Sequence, residues 1–178
     1  MTRVLVTYST KHGSTAEIAQ AIADELREKG MDADCVDVAV ASVAGFDAVV
    51  LGSAVYMGRW LHDARRFLKR HLEALSAIPF WIFSSGPTGE KAEEDLAHDT
   101  RWLEPRKVLD LAASAGLRGH IVFAGRLPVD PHGFVETSMV RSTPPDLQDA
   151  RDWEGIRRWA DDIASELERT GARRGGAA

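Results

Sequence analysis

Residues 4–26 read VLVTYSTKHGSTAEIAQAIADEL, and this stretch decides the fold. It begins with an apolar run at Val4, passes into a polar loop, and continues from Ser14 with apolar residues at helical spacing. Residues 14–17 have the form of a capping box, and Gly30 is suited to end the helix. The stretch therefore predicts a β-strand, a hydroxyl-rich loop and an amphipathic helix.

The same alternation of strand and helix continues along the chain. Apolar runs predict four more strands, at residues 35–38, 48–51, 80–83 and 121–124. Amphipathic stretches predict helices at residues 61–75, 108–115 and 156–167. The unbroken apolarity of residues 48–51 is typical of a parallel strand that is buried on both faces. We therefore predict an α/β fold: a doubly wound five-stranded parallel sheet in a three-layer sandwich.

Length and composition indicate one soluble domain. The 178 residues suit a single domain over residues 1–170, followed by a disordered tail over residues 171–178. Two segments, residues 87–105 and 128–152, interrupt the alternation and are either functional or surface decoration. No apolar run is long enough to cross a bilayer, and the start of the chain does not resemble a secretory signal, so we expect a cytoplasmic protein.

Charge and cysteine content exclude several functions. A net charge of -5 argues against a nucleic-acid partner. Cys35 is the only cysteine, so an internal disulfide and a thiolate metal cluster are excluded. The six histidines show no metal-ligand spacing, and we predict no metal site. Redox chemistry in this chain would therefore require a bound cofactor.

The loop after the first strand combines four hydroxyl groups with a glycine at a helix N-terminus. Ligands of open parallel sheets bind beyond the carboxyl ends of the strands, and a helix N-terminus favours a phosphate group. The loop contains neither a dinucleotide fingerprint nor a nucleoside-triphosphate loop, which excludes nicotinamide dinucleotides and ATP as primary ligands. As an alternative, Ser14 and Thr15 only cap the helix.

The loops after the third and fourth strands are suited to enclosing a flat ring. Residues 53–58 are uncharged, and residues 84–89 supply a tight turn on the other side. Tyr56 and Trp60 are candidates for ring contact, or else ordinary packing residues. We predict that the cofactor contacts Ser9, Thr10, Lys11, His12, Gly13, Ser14, Thr15, Ala54, Val55, Tyr56, Met57, Gly58, Trp60, Ser85, Gly86, Pro87, Thr88 and Gly89.

Together the three loops resemble those of the flavodoxin-like family, over roughly residues 3–170. Within it the chain is most similar to the flavodoxin-type, menaquinone-dependent protoporphyrinogen oxidases. The likeness rests on the pattern Ser-Thr-x-x-Gly-x-Thr at residues 9–15 and on Gly-x-x-x-x-x-Gly-x-aromatic at residues 52–60. Residues 67–71, 124–127 and 152–154 also look similar. The resemblance implies that the chain is a flavoprotein with an FMN cofactor, an oxidoreductase that takes part in electron transfer.

The chain also departs from those oxidases. They carry a strongly basic and aromatic insertion after the last strand, connected with membrane and quinone contact. Here residues 128–152 contain two basic residues, Arg141 and Arg151, against five acidic ones: Asp130, Glu136, Asp146, Asp149 and Asp152. Met57 stands where the family has an aromatic residue. These departures do not favour quinone use or membrane docking.

Two functions from different classes remain. The chain is either an FMN-dependent oxidoreductase of the protoporphyrinogen-oxidase kind or a soluble electron carrier without turnover of its own. Its partner would be a redox protein or a small-molecule electron donor or acceptor. A flavin-free scaffold is a third alternative, whereas a phosphoryl-accepting receiver domain lacks its acidic residues here. The flavin would perform the electron chemistry, and no catalytic side chain is predicted.

Overall fold

The protein folds into a parallel β-sheet with helices on both faces. The computed structural model describes residues 1–86, 88 and 106–175. Its strands are β1 (Arg3–Ser9), β2 (Asp32–Asp37), β3 (Ala48–Tyr56), β4 (Arg59–Trp60), β5 (Phe80–Ser85) and β6 (Gly119–Phe123). Its α-helices are α1 (Ser14–Glu28), α2 (His62–Arg70), α3 (Leu72–Ser76), α4 (Arg106–Ser114), α5 (Gly133–Ser142) and α6 (Trp153–Gly175), with a 3₁₀ turn at Pro145–Leu147.

Strand order confirms the predicted doubly wound sheet. Five strands pair in parallel in the order β2-β1-β3-β5-β6, and the two-residue β4 pairs antiparallel with the end of β3. The order reverses direction between β1 and β3, so the loops that follow these strands leave the sheet toward opposite faces. Ligands of doubly wound folds bind at this switch point. The topology therefore directs attention to the carboxyl edge of β1, β3 and β5.

Two hydrophobic cores hold helices to the two faces of the sheet. Because side chains alternate along a strand, Val50 of β3 faces one core while Val49 and Leu51 face the other. The first core joins the sheet to α1 and α6 through Val4, Val6, Ile18, Ile22, Ile156 and Ile163. The second joins it to α2 and α4 through Leu5, Phe67, Leu68, Val108 and Ala112. These layers confirm the predicted three-layer sandwich.

Several elements differ from their predicted limits. The helix expected over residues 61–75 is divided at His71, whose backbone (φ −102°, ψ 13°) leaves the α-helical region. The segment 128–152 contains α5 and the 3₁₀ turn. Helix α6 continues to Gly175, beyond residue 170, because Ala-Arg-Arg at residues 172–174 has high helix propensity. The segment 87–105 and residues 176–178 fall outside the described residues, apart from Thr88.

No helix in the described ranges is both long enough and apolar enough to cross a membrane.

Candidate functional site

The N-terminus of α1 starts from a left-handed glycine. Gly13 is the N-cap residue with φ 86°, and its N–H donates to Thr10 Oγ1 at 3.0 Å. No side chain caps the helix, so the predicted capping box over residues 14–17 is wrong. Glu17 instead accepts hydrogen bonds from Arg126 and Arg151. The alternative in which Ser14 and Thr15 merely cap the helix is thereby contradicted.

The first turn of α1 keeps its backbone donors open. Within the described part of the chain, the N–H groups of Ser14, Thr15 and Ala16 have no hydrogen-bond partner. The Thr15 hydroxyl also lacks a partner there, although the residue is only 1% exposed. Ser14 Oγ accepts from the N–H of Arg126 at 3.1 Å. Open N–H groups at the positive end of a helix form a site for an anion.

Serines line the edge where the three strands end. The register pairs Ser9 of β1 with Ser53 of β3, and Ser53 with Ser84 of β5. All three are buried, with Ser53 and Ser84 at 0% exposure. Ser53 Oγ donates to the carbonyl of Ala54 and accepts from the N–H of Leu61. The three predicted loops therefore begin next to one another, at an edge of the sheet that these buried serine hydroxyls make polar.

The loop after β3 is a tight hairpin. Tyr56 pairs with Arg59 across a two-residue turn formed by Met57 and Gly58, both with positive φ, 50° and 70°. Such a turn matches the twist of its strands but strains a residue with a Cβ, so Met57 carries local strain. Tyr56 is 42% exposed, and Lys11 Nζ lies 4.1 Å from the centroid of its ring. This cation–π contact joins the first loop to the second.

Trp60 lies in the second core and not at the surface of the crevice. It is 2% exposed, and its ring N–H donates to Ser84 Oγ at 2.8 Å. Ser84 Oγ is also 3.0 Å from His120 Nε2. Trp60 is therefore an ordinary packing residue, which is the alternative that the sequence left open. Tyr56 is then the exposed aromatic residue of this loop.

The loop after β5 is held to the end of β6. The N–H of Gly86 donates to the carbonyl of Phe123 at 3.0 Å. Gly125 allows this close approach, because a Cβ there would lie 3.2 Å from Thr88 Cγ2 and 3.5 Å from Ser85 Oγ. Predicted site residues Pro87 and Gly89 lie outside the described residues. The described residues of this loop border the same edge as the other two loops.

Burial divides the remaining predicted residues. Those at least partly accessible are Thr10, Lys11, His12, Gly13, Ala54, Val55, Tyr56, Met57, Gly58, Gly86 and Thr88. Those classed as buried are Ser9, Ser14, Thr15, Trp60 and Ser85.

Glu136 is a site residue that the sequence did not reveal. Its Oε1 accepts from Lys11 Nζ at 2.6 Å and from His12 Nε2 at 3.0 Å, and its Oε2 accepts from the N–H of His132 at 2.9 Å. The Lys11 ammonium, followed by the His132 N–H, lowers the pKa of the Glu136 carboxyl to about 2. Hydrogen bonding to Glu136 in turn raises the pKa of Lys11. The carboxylate thus ties α5 to the first loop.

We expect Glu136 to contribute a pH-dependent part of the stability. Its folded-state pKa, about 2, lies below the ~4.3 of an unfolded glutamate. The stabilisation is therefore complete above about pH 5 and is lost as the pH falls toward 2. Wild-type protein should show a higher urea midpoint than Glu136→Gln at pH 6, and the difference should shrink toward zero at pH 2. A difference that is constant with pH would contradict this.

A second ionic cluster attaches the chain after β6 to the first turn of α1. The Arg151 side chain is 3% exposed and pairs with Asp149 at 2.6 Å and with Glu17 at 2.7 Å. Hydrogen bonding to Arg151 lowers the pKa of Asp149. Arg126 donates to the other oxygen of Glu17 at 2.7 Å. Since Glu17 directly follows the three residues with open N–H groups, this cluster ties the chain after β6 to the anion site.

The fold and the crevice define a flavodoxin-like α/β protein. Similar solved structures include a flavodoxin from the domain Archaea, with 17% identity, a TM-score of 0.58, and coverage of 93% of this chain and 99% of that one. A cysteine-to-serine mutant of flavodoxin from Pseudomonas aeruginosa has 15% identity, a TM-score of 0.60, and coverage of 93% and 99%. The model of the flavodoxin domain family matches residues 5–149, and the chain belongs to this family.

Curated relatives share part of the sequence. Protoporphyrinogen IX dehydrogenase (quinone) of Escherichia coli K12 is 30% identical over 95 residues, which are 52% of each chain. The matched part thus spans about half the length of that relative. The enzyme of the same name from Leishmania major is 29% identical over 177 residues, covering 92% of this chain and 75% of that one.

Proposed function

We propose that this chain binds FMN and acts as a flavin-dependent redox protein. The observation that carries the proposal is the open first turn of α1, where three N–H groups and the Thr15 hydroxyl lack protein partners among the described residues. A phosphate monoester would satisfy these donors. Membership of the flavodoxin domain family supports the choice of a flavin. A bound flavin would supply electron transfer that no side chain of the site can perform.

The residues of the crevice have separate tasks in this proposal. Thr10 holds the loop by accepting from the N–H of Gly13, and Thr15 faces the phosphate with its free hydroxyl. The Met57–Gly58 turn places Tyr56 at the open side of the crevice, where its ring can pack against the flavin. Ser85 and Gly86 border the opposite side. Burial and backbone contacts around the ring would then set the reduction potential.

The proposal is tested by the absorbance of the purified protein. We expect a yellow protein whose spectrum has the two visible bands of a flavin, and whose released cofactor has the mass of FMN. Protein purified without cofactor should quench FMN fluorescence on titration. Protein that stays colourless and does not bind added FMN would refute the proposal and leave the flavin-free scaffold.

A flavin-dependent redox protein can be an enzyme with its own substrate or an electron carrier without one. The names of the relatives favour an oxidoreductase that acts on protoporphyrinogen IX. Exposed apolar side chains, that of Met57 in the second loop and those of Phe134, Val135 and Met139 in α5, suit a large apolar substrate. Anaerobic mixing with protoporphyrinogen and then a quinone should bleach and reoxidise the flavin of an enzyme. Absence of any reaction would favour the carrier.

A further inference from the structure

Helix α5 attaches to the protein by its polar side. Glu136 is its only buried residue, at 6% exposure, whereas Phe134, Val135 and Met139 are 89%, 63% and 45% exposed. A surface helix usually turns its apolar face inward and its charged residues outward. The attachment of α5 to the first loop therefore depends on ionic hydrogen bonds, and not on hydrophobic packing.

The two side chains that hold α5 lie directly before the anion site in the chain. Lys11 and His12 both contact the same oxygen of Glu136, and they precede Gly13, the N-cap residue of α1. The Glu136 carboxylate is ionised at neutral pH, because its pKa is about 2. It pairs with the Lys11 ammonium and places a negative charge on the loop that leads into the open N–H groups. A phosphate group that binds there would draw on the same two side chains and would be repelled by the Glu136 carboxylate.

We propose that Glu136 and a bound phosphate group compete for Lys11 and His12, so that phosphate binding at the first loop and docking of α5 oppose each other. The inference rests on the proposed phosphate site and adds its regulation. Because the coupling between two equilibria is reciprocal, removal of the carboxylate tightens phosphate binding, and phosphate loosens α5. Glu136 thus lowers the affinity of the first loop for ligands with a negatively charged head group.

The variant Glu136→Gln isolates the charge. Glutamine has nearly the same shape and keeps one acceptor oxygen, which can serve either Lys11 or the His132 N–H, while its NH2 group takes the place of the other oxygen. We expect this variant to bind FMN about tenfold more tightly than wild-type protein and to bind inorganic phosphate more tightly as well. Riboflavin, which lacks the phosphate, should bind both proteins equally. Titration by flavin fluorescence and by calorimetry at fixed ionic strength measures these constants.

Asp146→Asn is the matched control. Asp146 is an exposed carboxylate of the same segment, so its removal changes the net charge equally without touching the first loop. We expect its FMN affinity to stay within about twofold of wild type. The proposal is overturned if Glu136→Gln binds FMN no better than this control, or if riboflavin affinity rises by the same factor. Weaker phosphate binding by Glu136→Gln would mean that Glu136 positions Lys11 for the anion, which also contradicts competition.

Hydrogen exchange of wild-type protein tests the reciprocal effect without any variant. Saturating FMN or phosphate should speed exchange of the amides of α5 (Gly133–Ser142), whereas bound ligands ordinarily protect the elements near them. Unchanged or slower exchange in α5 would refute the proposal.

The outcomes separate this inference from the proposed function. If FMN does not bind either protein, the flavin function fails, and the phosphate titration alone decides the inference. Tighter phosphate binding by Glu136→Gln would then still support competition. Failure of both proteins to bind phosphate would end the inference as well. If FMN binds both proteins equally, the inference fails while the flavin function stands.

Discussion

The Gly52→Ala variant is expected to lose about 2 kcal/mol of unfolding free energy, because an added Cβ overfills the core. Gly52 lies in β3 directly opposite Phe83 of β5, and a Cβ at this position would overlap the phenyl ring. The ring is fully buried and contacts Phe123 and Trp159, with centroids 5.9 Å and 6.2 Å away. It therefore has no free space to enter. Urea unfolding followed by circular dichroism measures the loss.

Two further variants show whether the ring is the cause. Gly171→Ala makes the same chemical change in α6, where the added Cβ meets nothing within 4 Å beyond its chain neighbours and the backbone of its own helix, so the stability should be unchanged or slightly higher. Phe83→Leu removes the overlapping ring. The double variant Gly52→Ala/Phe83→Leu should lose less unfolding free energy than the sum of the two single losses. The difference, a favourable coupling, should be about 1 kcal/mol. Additive losses would show that Gly52 is required for some other reason.

The parts of the site that adjoin each other along the chain could be predicted from the sequence. Residues 9–15 follow a strand and precede a helix, so apolar periodicity on both sides places their hydroxyls at a helix N-terminus. The capping box failed because Gly13, in the left-handed region, starts the helix one residue earlier. Ser14, the expected cap residue, then lies inside the first turn, and its hydroxyl accepts from Arg126.

Contacts between distant segments could not be predicted in this way. Glu136 is 125 residues from Lys11, and no periodicity relates two positions that are so far apart. Its neighbours in α5 are exposed apolar residues, which is the reverse of the pattern that indicates a buried face. The position of Trp60 depends on β4, a strand of two residues, which is too short to show an alternation. Sequence patterns identify elements, but they do not indicate how elements dock.

The acidic segment after β6 has an internal role that composition conceals. Of its five acidic residues, Glu136 pairs with the first loop and Asp149 pairs with Arg151. Both pairs adjoin the start of α1: the first at Lys11, two residues before the N-cap Gly13, and the second at Glu17 in the first turn. The acidic residues distinguish this segment from a membrane-docking insertion. Two of them also help to hold the segment against the anion site.

The double variant Thr10→Ala/Thr15→Ala is expected to weaken FMN binding by about a hundredfold or more. Hydrogen bonds to a charged group contribute about 1.5–3 kcal/mol each, and this variant removes the free Thr15 hydroxyl and the Thr10 oxygen that holds the Gly13 N–H. Both effects act on the phosphate group. Titration with FMN and with riboflavin should therefore show a large loss for FMN and little change for riboflavin.

Thr7→Val is the matched control for this loss. Thr7 lies in β1, fully buried, and its hydroxyl has no partner among the described residues, so an isosteric valine should leave the FMN affinity unchanged and the stability equal or higher. Equal circular dichroism spectra of the three proteins would show that the double variant keeps the fold. An unchanged FMN affinity in a folded double variant would mean that the phosphate binds elsewhere, because the Thr15 hydroxyl is the free side-chain donor of the first turn of α1 in the described structure.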